Sequence, residues 1–284
     1  MFKSMTKNIG LAALGGALLV ASAATFAGIS GTKHNLGSGG VVGNNLFDGT
    51  AEICVFCHTP HGSDTSAPVP LWNRNINSSP TYTTYATLQT SSLQGKEAAI
   101  GSVSLACLSC HDGTQAMNSV INAPGSGGYN ATGSPMAGTW DGTTVGSANG
   151  LLLDGITKIG TDLRDDHPIS IQYAGGGFLT TSCTGGDGAL CSNTMLSTSG
   201  FNLPRMAIAN SNPVWWVDNA QGAGTDNARN KEDIQLYTRT DLSGDSNAQP
   251  FVECASCHDP HTSNTTFLRI ENTGSNVCLS CHDK

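Results

Sequence analysis

Four copies of one five-residue word, Cys-x-x-Cys-His, constrain this chain more than any other feature. They are Cys54-Val55-Phe56-Cys57-His58, Cys107-Leu108-Ser109-Cys110-His111, Cys254-Ala255-Ser256-Cys257-His258 and Cys278-Leu279-Ser280-Cys281-His282. Chance does not supply three fixed, uncommon residues at one spacing four times in 284 positions, and the word reads as c-type haem attachment. Two thiols on one turn reach the two vinyl groups of a haem, and the imidazole of the next residue lies beneath the iron as proximal ligand. Structural zinc does not require a histidine at the same offset four times, and a disulfide framework leaves those histidines without a role. The words therefore imply four covalently bound c-type haems with their iron.

The remaining histidines carry the reading further. The chain has eight: His58, His111, His258 and His282 close the four words, leaving His34, His61, His167 and His261. A low-spin haem needs a ligand on each face, and spare histidines equal words, so four bis-histidine haems are expected. His58 and His61, like His258 and His261, sit three residues apart with a proline between them, too short a segment to wrap round a porphyrin. His61 and His261 must then serve haems other than their neighbours', which ties haems together at close range, and His34 and His167 complete the set. Met117, Met136, Met195 and Met206 are other possible ligands that the count does not require. Haems with both axial positions filled have no open site for a substrate, so electron transfer is expected rather than enzymatic turnover.

The N-terminus reads as a secretory signal peptide over residues 1–27. Lys3 and Lys7 precede an apolar run of about 16 residues, shorter than the roughly 20 a membrane span needs, and small residues place cleavage near 23–27. Export without membrane insertion of the mature chain follows. In that setting the two remaining cysteines, Cys183 and Cys191, which flank a short Gly-rich loop, form a disulfide. The repeated order of the words suggests two tandem dihaem units, one over 28–150 ending in a Gly/Ser-rich linker, the other over 151–284 with the Cys183/Cys191 loop inserted. Long Gly, Ser, Thr and Asn stretches show neither a helical nor a strand period. The expected fold is mostly coil with few short helices, among them 88–98 and 102–111, minor strand, and stacked haems as the core. The formal net charge is −8 and nothing basic is clustered, so nucleic acid is not an expected partner. Arg74, Arg164, Arg205 and Arg269 are candidates to pair with haem propionates. Asn77, Asn130 and Asn264 head sequons for glycosylation.

The layout "TKHNL", "CVFCHTPHG", "PLWNR", "CLSCHDGT", "DHPIS", "CASCHDPH" and "CLSCHDK" resembles the multihaem c-type cytochromes of anaerobic respiration, and within them the tetrahaem extracellular cytochromes of the OmcE type. That resemblance implies subunits joined head to tail into a conductive filament at the cell surface or beyond it, delivering electrons to external acceptors. It implies also that one haem takes a histidine from the next subunit, here His61 or, as second choice, His34. Two other readings stay open: a monomeric periplasmic shuttle docking with redox partner proteins, and a multihaem reductase. The reductase requires one spare histidine to be unligated.

Overall fold

The computed structural model describes residues 28–283 apart from 42–44, 77–79, 126–127, 154, 183–189, 195–199, 220–227 and 243–247. The leader over 1–27, the Asn77 sequon, Met195 and Cys183 lie outside the described residues. Among the described residues no helix is long and apolar enough to cross a membrane.

The expectation of a mostly coil chain is wrong. Nine strands are present among the described residues: β1 Ser119–Asn122, β2 Tyr129–Pro135, β3 Ile171–Gln172, β4 Leu179–Ser182, β5 Ser192–Thr194, β6 Arg205–Ala209, β7 Asn212–Val217, β8 Ile234–Arg239 and β9 Gln249–Val252. Two hairpins, β1-β2 and β4-β5, are separate from an antiparallel five-stranded sheet in the order β3-β9-β8-β7-β6. The sheet is built from the segment between the second and third words that the sequence presents as irregular. Its β6-β7 hairpin turns on Asn210 and Ser211, with φ of 48° and 63° and Ala209 paired to Asn212. A two-residue turn with both central residues at positive φ matches the right-handed twist of the strands it joins, and asparagine tolerates that backbone. β7 buries Trp215, Trp216 and Val217 in succession. With both faces covered, it lacks the alternation by which a half-exposed strand is recognised.

Side chains fill the interior, which corrects the second part of the expectation, a core made of stacked haems. One apolar cluster packs Phe47, Phe56, Val120, Trp140 and Leu152 together with Met117 and Met136. A second packs Tyr173, Phe178, Met206, Trp215, Ile234 and Leu236 under the five-stranded sheet. Three of the four reserve methionines thus sit in these clusters. Cys57 and Cys110 border the first cluster, and Cys281 borders the second.

Three short helices carry three of the words: α1 Ser102–His111, α2 Cys254–Cys257 and α3 Asn276–Cys281. The first word makes a single turn, closed by the His58 N–H donating to the Cys54 carbonyl at 2.7 Å. The helix expected over 88–98 is not formed. Tyr85–Leu88 is a 3₁₀ turn ended by Gln89 in the left-handed region, and beyond it the Ala98 N–H bonds the Ser170 carbonyl while Lys96 accepts from Gln172.

Candidate haem-binding site

The first and third words are held by the same local device. After His58 the chain returns so that the Asn73 N–H donates to the Cys57 carbonyl (2.8 Å) and the Thr59 N–H to Leu71. After His258, the Arg269 N–H donates to the Cys257 carbonyl (2.9 Å) and the Asp259 N–H to Phe267. Leu71 and Phe267, at equivalent places, both hold positive φ, 56° and 58°, a backbone that costs a non-glycine residue about 1 kcal/mol or more. The side chains two positions further on also match. Asn73 Nδ2 donates to the Val55 carbonyl (2.7 Å) and Arg269 Nε to the Ala255 carbonyl (3.0 Å), each the first residue inside its word. Asn73 is fully buried and also exchanges bonds with the Asn122 backbone. Asn73→Ala, which strands these groups, is expected to cost about 1–3 kcal/mol, read as a lowered denaturation midpoint at unchanged haem content.

The returning segments orient the histidines. His58 Nδ1 donates to the Pro70 carbonyl at 2.9 Å, His258 Nδ1 to Thr266 at 2.9 Å, and His111 Nδ1 to Thr157 at 2.7 Å. A carbonyl only accepts, so Nδ1 carries the proton and Nε2 is left as the ligating nitrogen. His58 also stands edge-on to Trp72, with ring centres 5.9 Å apart. The carbonyls that do this come from residues whose side chains carry no haem signal, so the sequence could not point to them.

The spare histidines come to the words in a definite pattern. His261 stacks towards His58 with ring centres 6.2 Å apart and planes 19° from parallel. His34 faces His111 at 6.3 Å with planes at 79°. Two imidazoles bound to one metal from opposite sides, each with a bond of about 2 Å and its ring centre about 1 Å behind, have centres about 6 Å apart. Both spacings therefore fit one iron between the rings. Burial, then the nearby His111, pushes His34 down to about 4, so it is neutral at pH 7, the form that ligates metal. His167 is lowered by burial first, and His282 is near enough to lower it further. His61 and His258 have no histidine ring against them among the described residues. His61 is exposed, with its carbonyl held by Thr59 and Asn122.

The words also follow one another in space in their order along the chain. Cys57 and Cys110 pack on one cluster. The thiols of Cys107 and Cys254 meet in a hydrogen bond, and Cys257 lies within electrostatic reach of Cys278 and Cys281. Burial pushes Cys57 up to about 12 and Cys257 up to about 11. Without a bound group these are neutral thiols, and among the described residues no three His, Cys, Asp or Glu side chains form a metal cluster. Cys54, Cys57, Cys107, Cys110, Cys254, Cys257, Cys278 and Cys281 are all unpaired, whereas Cys191 is disulfide-bonded.

Of the arginines expected at propionates, Arg164 pairs with Asp162 and Arg205 with Asp218. Arg74 is buried with its donors on protein acceptors, and Arg269 holds the third word. Arg239, Glu253 and Ser104, which join α1 to α2, were not singled out by the sequence.

Residues 249–284 match the family model described as the doubled CXXCH motif. This part of the chain, which holds the third and fourth words, is a c-type cytochrome-like haem-binding region, and its cofactor is a covalent haem with iron. A doubled motif of this kind suggests haem-based electron transfer. A comparison with curated proteins finds no match for the chain.

Proposed function

We propose that this protein is a tetrahaem c-type cytochrome with bis-histidine ligation throughout, and that it works as the subunit of an extracellular conductive filament. A c-type haem with two histidine ligands supplies outer-sphere one-electron transfer. The observation that carries the reading is the partition of the eight histidines. His58 with His261 and His111 with His34 bring their rings face to face within one chain. His167 lies within electrostatic reach of His282 and His258 within that of His34, and among the described residues neither His258 nor His61 has a histidine ring against it. The paired Cys-x-x-Cys sequences tether each group, the carbonyls of Pro70, Thr157 and Thr266 fix the ring nitrogens, and the spatial order of the words sets the order of transfer.

The leftover pair supports polymerisation. His61 of one copy serves the haem at His258 of the next, a heterologous contact that does not close on itself and so extends indefinitely. His34, the other candidate bridge, already faces His111 in its own chain. External acceptors and a location outside the cell belong to this same proposal.

The test is electron microscopy of holoprotein from the cell exterior and from periplasm, with haem counted per chain. Filaments whose repeat is one four-haem subunit are expected, and His61→Ala should disperse them while leaving four haems attached. Dispersed particles alone, in the periplasmic fraction, would instead make the protein a soluble shuttle. Fewer than four haems per chain would overturn the tetrahaem reading itself.

A further inference from the structure

Arg74 is fully buried, yet among the described residues no carboxylate stands at ion-pairing distance from it. Its five N–H groups are all taken by neutral acceptors. Nε donates to Ser109 Oγ (3.2 Å), Nη1 to the carbonyls of Met117 (2.9 Å) and Ser119 (3.0 Å), and Nη2 to the Ser109 carbonyl (2.7 Å), Gln115 Oε1 (3.1 Å) and the Ala116 carbonyl (3.1 Å). A guanidinium does not lose its proton in a protein, and burying one without a counter-ion is costly. The carbonyl dipoles solvate the charge but do not cancel it, and in a medium of low dielectric its field reaches its neighbours.

Those neighbours are the first two words. Ser109 lies between Cys107 and Cys110, and Asn73, the residue before Arg74, bonds the Cys57 carbonyl. Among the described residues the other arginine that is buried has carboxylate partners. Arg239, also buried, is paired to Asp241 and Glu253 beside the third word. Arg269, which bonds the Ala255 carbonyl, acts on Cys257 of the third word, but it is only half-buried, so water screens it more than Arg74.

We infer that Arg74 is a tuning residue, whose uncompensated charge raises the reduction potentials of the haems at the first two words above those it would leave them without. The inference rests on the tetrahaem reading. Reduction of ferric to ferrous iron adds one negative charge, and a fixed cation nearby favours that state.

Spectropotentiometry of the four-haem protein at pH 7 tests it. Gln115→Glu places a carboxylate on the guanidinium and so cancels its charge, and Arg74→Gln removes the charge. Each should lower two of the four Nernst components by about tenfold in the one-electron equilibrium constant, about 59 mV, and leave the other two in place. Arg74→Lys, which keeps the charge and loses the planar fork, should shift them much less. Unchanged potentials in Gln115→Glu and Arg74→Gln, an equal shift of all four components, or an equal effect of Arg74→Lys would overturn the inference. Haem count and low-spin spectrum, read on the same samples, check the underlying assignment separately: a wild-type protein lacking four low-spin haems would overturn that assignment and the tuning role with it.

Discussion

Glu253→Ala is expected to lower the free energy of unfolding by about 3–5 kcal/mol, the cost of removing one member of a buried ion pair. The Glu253 carboxylate is almost fully buried. It accepts the Ser104 hydroxyl at 2.5 Å, the Ser170 hydroxyl at 3.1 Å and Arg239 Nη1 at 3.0 Å, while its own N–H donates to Ser256 Oγ in a capping box at the start of α2. Truncation strands three donors and halves the compensation of Arg239, which keeps only Asp241. Ser104 belongs to α1 and also receives the Cys254 N–H at 3.0 Å, so the damage falls on the join between the second and third words. Chemical denaturation of the holoprotein measures the loss. Glu253→Gln, which keeps the shape and one acceptor, should lose less. A loss under about 1 kcal/mol for Glu253→Ala would mean that the joint does not hold the two halves together.

On the proposed tetrahaem reading, His261→Ala is expected to convert one haem in four from low-spin to high-spin without releasing it, because the thioether cysteines hold the group independently of the axial ligand. His261 is the ring that faces His58 at 6.2 Å, and its Nδ1 is held by Asp259 at 3.2 Å. Removing it leaves His58 as the single axial imidazole at the first word. Optical and electron paramagnetic resonance spectra read the change directly. Four low-spin haems in His261→Ala would mean that another residue fills the position, and the pairing proposed for the first word would be wrong.

The haem words were legible because three uncommon residues at fixed offsets survive any fold around them, and the arithmetic of eight histidines rests on identity alone. The expectation that His61 and His261 serve haems other than their neighbours' rests on the length of a three-residue segment, and the structure places His261 against His58 rather than beside His258. Helix 102–111 was read at its observed limits. The sheet was not, for a physical reason. β7 and β8 bury consecutive residues, Trp215 to Val217 and Ile234 to Leu236, so no period of two marks them. The signal available was local: the Asn-Ser turn between two apolar runs, and the β-propensity of "VWWV" and "IQLYT". Arg74 was picked out for the wrong partner. An arginine beside a haem word suggests a propionate, but which acceptors surround it depends on how residues 115–119 fold back over the first two words, and that is tertiary.

The central claim, that histidines from distant words share irons in the proposed pairs, is tested most directly by low-temperature electron paramagnetic resonance of the oxidised wild-type holoprotein in its assembled form. Ring planes 19° apart at His58 and His261 separate the iron dπ orbitals, whereas planes at 79° at His34 and His111 leave them nearly degenerate. The account predicts two kinds of low-spin ferric signal together, one rhombic and one highly anisotropic, with no high-spin component. A high-spin component in the assembled holoprotein, or a single kind of low-spin signal, would contradict it.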